Sequence, residues 1–148
     1  MSNQVLDRPQ EAFGLHLTLD GYGCNREVLA DLLGIYRFLD ETPAAIAMTR
    51  IMAHLVIEYR PPPGEPPEDW GLRGAVLIAE SHIAVHTYPD QGRLHLDIFS
   101  CKEFDVHQAT TRVVEHFHPA RIEPNLLRRG LEFRREDLPA AAPWRPDV

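Results

Sequence analysis

At 148 residues, with 44% hydrophobic and 25% charged residues, the chain fits one soluble globular domain built on a single core. A net charge of −7 and a pI near 5.5 argue against a nucleic-acid partner, which demands a basic face, and fit a small molecule instead. Two cysteines without CxxC spacing make no disulfide scaffold, Met1 to Glu11 has no apolar stretch of a secretory signal, and no run approaches the ~20 apolar residues of a membrane span; a cytoplasmic protein with reduced thiols is the expectation.

Residues 1–12 are expected to be a flexible N-terminus, 13–136 the single domain and 137–148 a disordered tail rich in alanine and proline. Phe13 to Asp20 alternates apolar and polar and predicts a half-buried strand, turned by Gly21-Tyr22-Gly23. Asn25 is the N-cap of a helix from Arg26 to Leu39, with Val28, Leu29, Leu32, Ile35, Tyr36 and Leu39 on one face and Pro43 as its stop. Ile46 to Tyr59 reads as strand, interrupted around Met52-Ala53-His54. Arg60 to Trp70 holds five prolines and a glycine, so it is neither helix nor central strand. It is either a plain surface loop or a loop that delivers Trp70 to a ligand.

Three short strands follow: Gly74 to Glu80, Ile83 to Tyr88 and Leu94 to Phe99, with Pro89-Asp90-Gln91-Gly92 as a turn in which Gly92 takes positive φ. Asp105 caps a helix to about Phe117, ended by Pro119, and Arg128 to Arg135 predicts a charged edge strand. The order β-α-β-β-β-β-α-β, with short turns between neighbours, predicts an α+β fold. It is a two-layer α/β sandwich with a mainly antiparallel sheet and helices on one face.

The chemistry concentrates in residues 79 to 90, AESHIAVHTYPD, where an apolar strand runs into Glu80, Ser81 and His82, with His86 beyond. Singly, Ser81 reads as a turn residue and His82, His86 and His95 as solvated or core histidines. No metal is expected: in a strand, His82 and His86 stand ~13 Å apart, too far for one zinc ion. A Ser-His-Asp hydrolase is weakly supported, because Ser81 lacks the Gly-x-Ser-x-Gly elbow and either Asp97 or Asp90 would be an arbitrary third member. A self-cleaving junction accounts for more. The Ser81 hydroxyl attacks the Glu80 carbonyl, the ester formed breaks by β-elimination, and the dehydroalanine left at position 81 hydrolyses to a pyruvoyl group. A nearby imidazole is what those proton transfers require. A pyruvoyl carbonyl forms a Schiff base with an amine and serves as electron sink for decarboxylation.

Glu80-Ser81-His82-Ile83-Ala84-Val85-His86-Thr87-Tyr88-Pro89-Asp90, followed by Leu96-Asp97-Ile98-Phe99-Ser100-Cys101, resembles the bacterial and archaeal S-adenosylmethionine decarboxylase proenzyme family. The likeness extends to His16-Leu17, Tyr22-Gly23-Cys24 and Pro67-Glu68-Asp69-Trp70-Gly71, and covers about residues 13 to 118. The resemblance implies a chain that cleaves itself between Glu80 and Ser81 and works as a homodimer of cleaved α/β protomers. It also implies that decarboxylated S-adenosylmethionine is supplied as aminopropyl donor for polyamine synthesis. By position, Ser81 becomes the covalent pyruvoyl group, Glu80 the new C-terminus, His86 assists processing, and Cys101 returns a proton to the substrate. Tyr88 matches the aromatic that stacks on adenine, and Asp90 the acid that binds ribose hydroxyls; Trp70 joins them as a substrate-binding candidate. The chain departs from the family pattern at Arg73, where a serine that assists processing is common, at Tyr88 for Trp or Phe, at Asp90 for Glu, and at Lys102 for Gly. The other readings are a pyruvoyl-dependent arginine or ornithine decarboxylase on the same fold, and an unprocessed paralogue that binds a partner.

Overall fold

The structure, a computed structural model, describes residues 14–130. Six strands form one antiparallel sheet in the order β2-β3-β4-β5-β1-β6. They are β1 (Gly14–Tyr22), β2 (Leu55–Tyr59), β3 (Gly71–Ile78), β4 (Ser81–Tyr88), β5 (Arg93–Ser100) and β6 (Arg121–Arg129). Helices α1 (Arg26–Ala30), α2 (Leu32–Ala45) and α3 (Val106–Phe117) cover one face, which is the expected two-layer α+β sandwich.

Period-2 patterning decides which face is covered. Leu15, Leu17 and Leu19 of β1, Ile83 and Val85 of β4, and Leu94, Leu96 and Ile98 of β5 are buried. Most of them share one apolar cluster with Leu29, Ile35, Phe38, Leu39, Val113 and Phe117 from the helices. Each such side chain contributes roughly 1.5–3 kcal/mol by leaving water. The alternate residues, among them His16, His82, His86, His95 and Asp97, point to the uncovered face. Gly74 lets α2 approach that closely: a Cβ there would stand 2.8 Å from Leu39 Cδ1.

Caps and turns follow the expected residues. The Asn25 side chain accepts from the Glu27 and Val28 amides, Asp105 accepts from Gln108, and Gly92 takes φ 60° behind a 3-10 turn at Pro89–Gln91. Several boundaries differ from the sequence expectation. The helix expected from Arg26 to Leu39 is broken at Asp31, whose extended backbone (ψ 94°) ends α1 and whose side chain caps α2 through the Gly34 amide. The apolar face rotates at that break, so Phe38 is buried while Leu32 and Tyr36 are exposed. Pro43 does not stop α2. It lies in the last turn, where few amide bonds remain to lose, and the Ile46 amide closes the helix on Thr42 and Pro43 carbonyls. Of the strand expected over Ile46 to Tyr59, only Leu55–Tyr59 is a strand; upstream, Arg50 forms a single bridge to Ile78.

β3 begins at Gly71 rather than Gly74 and ends at Ile78, β4 starts at Ser81, and Ala79-Glu80 is the two-residue turn between them. The last strand lies at Arg121–Arg129, earlier than expected, because β6 pairs with β1 from Gly14↔Arg129 to Tyr22↔Arg121. Positions 131–135 of the expected strand, the terminal segments and Phe13 lie outside the described residues. No helix among the described residues is long and apolar enough to cross a membrane.

Candidate active site

The β3–β4 turn sets the Glu80–Ser81 peptide at the rim of the sheet, clamped from three directions. The Ala79 amide donates to the Thr49 carbonyl (2.7 Å), and the Glu80 side chain accepts from the Thr49 amide (3.2 Å). The Glu80 carbonyl oxygen accepts from the Cys101 amide at 2.9 Å, because Ser81 pairs with Ser100 and places Cys101 one residue beyond the end of β5. Neither Ala79 nor Glu80 has positive φ, so the junction is pinned by its partners and not by a left-handed backbone. Chemically, an N–H aimed at the Glu80 oxygen stands where negative charge would develop if Ser81 attacked that carbonyl.

Ser81 Oγ lies 3.4 Å from His82 Nδ1. The opposite nitrogen, His82 Nε2, is 3.0 Å from Asp97 Oδ2, and His16 Nε2 reaches the same oxygen at 2.9 Å. Register explains the cluster: His16 and His82 both pair with Phe99, one from each side, and Asp97 stands two residues along β5 on the same face. Phe99 supports both imidazoles (ring centroids 5.4 and 5.9 Å away) and carries the Arg129 guanidinium 4.1 Å from its own centroid. A carboxylate accepts only, so each imidazole gives its Nε2–H to Asp97 and keeps Nδ1 as an acceptor. Ligand atoms of His16, His82 and Asp97 lie within 4.8 Å of one another, the kind of grouping the sequence could offer only as a His82–His86 pair.

The second half of the expected site lies at the other end of β4. His86 pairs with Arg73 on β3 and His95 on β5, five residues along the strand from Ser81, or roughly 16 Å at ~3.3 Å per residue. His86, His95, His16, Thr18, Asp20 and Asp97 line a groove of about 240 Å³ on the open face. His86 is exposed at its rim, yet desolvation by its neighbours lowers its pKa below the usual histidine value, and the Arg73 guanidinium lowers it further. Arg73 donates to the carbonyls of Thr87 (2.9 Å), Leu72 (3.2 Å) and Asp69 (3.3 Å) and lies over the rings of Tyr59 and Tyr88.

Tyr88 therefore has Arg73 4.6 Å and Arg93 4.3 Å from its ring centroid. Asp90 accepts from Arg26 Nε (2.9 Å) on one oxygen and from Trp70 Nε1 (2.6 Å) on the other; these bonds, the indole first, hold its carboxyl below the usual range. Trp70 in turn lies beneath the guanidinium groups of Arg26 and Arg60. Thr87 ties this end to the helices: its buried hydroxyl donates to the Leu29 carbonyl and accepts from the Leu72 amide.

The expected residues thus fall into two groups, Glu80, Ser81 and Cys101 at the turn and His86, Tyr88, Asp90 and Trp70 at the far end. Sequence reasoning missed His16, Asp97 as partner of His82, and Thr87. Polar residues at every second position of three strands were the available signal, but only the register selects which of them meet.

The family model described as S-adenosylmethionine decarboxylase matches residues 15–130. Among curated relatives, the S-adenosylmethionine decarboxylase proenzyme of Pyrococcus furiosus is 31% identical over 123 residues, 82% of this chain and 82% of the relative. That of Thermodesulfovibrio yellowstonii is 32% identical over 133 residues, covering 86% and 90%. The crystal structure of the adenosylmethionine decarboxylase from Aquifex aeolicus superposes with a TM-score of 0.66 at 26% identity, over 88% of this chain and 99% of that one. The chain belongs to the S-adenosylmethionine decarboxylase family.

Proposed function

We propose that this protein is a self-processing, pyruvoyl-dependent decarboxylase of S-adenosylmethionine, acting as a homodimer and supplying the aminopropyl donor of polyamine synthesis. The observation that carries the proposal is the Glu80–Ser81 junction, with the serine hydroxyl beside an imidazole and the Glu80 oxygen held by the Cys101 amide. Those residues suit the formation of the group. The hydroxyl must lose a proton as it attacks, the carbonyl oxygen must be stabilised as it gains charge, and Glu80 must leave as a carboxylate. When formed, the pyruvoyl group supplies the electron sink for loss of carbon dioxide. Cys101, half-buried one residue past β5, is the proton donor to the product, brought to the junction by the same register that binds its amide to Glu80.

Substrate contacts belong to the far end. Tyr88 takes adenine in exchange for one guanidinium. Base–aromatic stacking is worth ~1–3 kcal/mol, an exposed cation–π contact ~0.5–1, so the exchange favours the base. Asp90, kept ionised by Trp70 and Arg26, retains lone pairs for ribose hydroxyls. His86 and Ser81 of one chain are too far apart to meet, so His86 assists processing across the dimer. The open face is the surface for it. Leu55, Ile57 and Leu77 are exposed at one edge and Leu127, opposite His16, at the other, flanking the polar groove.

Intact mass of the purified chain tests the first step: fragments 1–80 and 81–148 are expected, the second blocked to Edman sequencing. Carbon dioxide release from S-adenosylmethionine, arginine and ornithine in parallel tests the second, with release from the first alone expected. A chain that stays whole after long incubation would instead be an unprocessed paralogue.

A further inference from the structure

We infer that His82, oriented by Asp97 and braced by His16, is the base that takes the Ser81 hydroxyl proton in self-cleavage. The inference rests on the self-processing reading and names the group that begins it. Within the protomer His82 is the imidazole in contact with Ser81 Oγ, at 3.4 Å, whereas His86 lies five residues along the strand. The 3.4 Å contact is slightly long for proton transfer, as resting catalytic hydrogen bonds often are before the reacting geometry closes.

The direction of transfer follows from the partners. Asp97 accepts the Nε2–H of His82 at 3.0 Å, which leaves Nδ1 with a lone pair facing the serine. His16 donates to the same carboxylate oxygen at 2.9 Å and its Nδ1 stands 3.4 Å from Arg129 Nη1, so Asp97 is held from two strands. As the Oγ–C bond to Glu80 forms, the Oγ proton passes to Nδ1, and the carbonyl electrons move onto the oxygen bound by the Cys101 amide. When the C–N bond breaks, the Ser81 nitrogen takes that proton back from the imidazolium. The products are an ester and a free amine, with imidazole regenerated and no other reactant consumed. Asp97 and His16 are positioning residues, since neither touches the reacting atoms.

The test follows the full-length chain from first synthesis. Intact mass reports cleavage, and hydroxylamine, which splits the ester but not the peptide, reports the acyl shift separately from later elimination. In His82→Ala both cleavage and the hydroxylamine-sensitive ester are expected to slow by ~10²–10⁴-fold. Added imidazole restores part of the rate, and Asp97→Asn slows the same step less severely. A His82→Ala chain that forms the ester at the wild-type rate overturns the assignment. So does one that is slowed and gains nothing from imidazole, since that loss belongs to packing. A wild-type chain that never cleaves removes the self-processing reading and the relay with it. Wild type cleaving beside an equally fast His82→Ala removes the relay alone.

Discussion

Arg73 faces His86 across the β3–β4 ladder, and its charge opposes protonation of that imidazole. Removing the cation in Arg73→Ser is expected to raise the His86 pKa toward the ordinary value without restoring it fully, since desolvation remains the larger cause; a side-chain NMR titration of the two proteins checks this. The sign for stability follows. His86 and His116 both bind protons less readily folded than unfolded, so the unfolded chain takes up more protons as pH falls below about 6.5. Their neutral forms keep full stability above that range and lose it below, a trend that urea midpoints measured from pH 7.5 to 5 would show. Cys101 is the other residue whose proposed role is separable. Cys101→Ala keeps the backbone amide that holds Glu80, so cleavage is expected to survive, while carbon dioxide release drops by the ~10²–10⁴-fold typical of a positioned acid. Equal losses of cleavage and turnover would take the thiol out of that role.

Secondary elements were legible wherever local chemistry is sufficient. Asn25 and Asp105 cap the helices they announce, alternation in β1, β4 and β5 gives both strand and face, and the Pro89–Gly92 turn holds its glycine at positive φ. What needed the folded chain was register. His82 and Asp97 are neighbours because β4 and β5 pair Ala84 with Asp97, and nothing in either strand alone fixes that offset. The same limit hid Thr87, a residue whose hydroxyl serves β3 and α1 together. Thr87→Val keeps shape and β-propensity but leaves a buried carbonyl and a buried amide each short of a partner. The expected loss is ~1–3 kcal/mol for each group left unpaired, read as a lower midpoint with unchanged slope in denaturant unfolding. A neutral result would mean that Thr87 is not the link between α1 and the sheet. Proline at position 43 shows the converse failure, a local rule overridden because the helix had only its last turn left to build.

At the scale of the molecule, one sheet face is covered by helices and the other holds the chemistry in the open, split between two ends of β4. The Ser81 end carries the bond proposed to be cut; the His86 end carries Arg73, Tyr88 and, within the following turn, Asp90. A two-fold dimer that lays one open face on another with its axis across the strands turns one end against the partner's opposite end, and in the proposed homodimer that would complete two equivalent sites. Isologous contact requires that arrangement to be mutual. Mixed dimers therefore make a sharp prediction. Ser81→Ala homodimers have no attacking hydroxyl, and His86→Ala homodimers lack the partner imidazole, so both should remain largely uncleaved. Co-expressed, the two variants pair an intact Ser81 on one chain with an intact His86 on the other, and one site of the two is whole. Cleavage should then appear only in the His86→Ala chain, with up to half of the mixed-dimer protomers processed, distinguishable by mass from the uncut Ser81→Ala chain. Leu77→Glu, which puts a charge on the exposed apolar edge, should abolish this complementation and shift the protein to monomer in sedimentation. If the co-expressed His86→Ala chain stays as uncut as it is alone, His86 does not act across the interface.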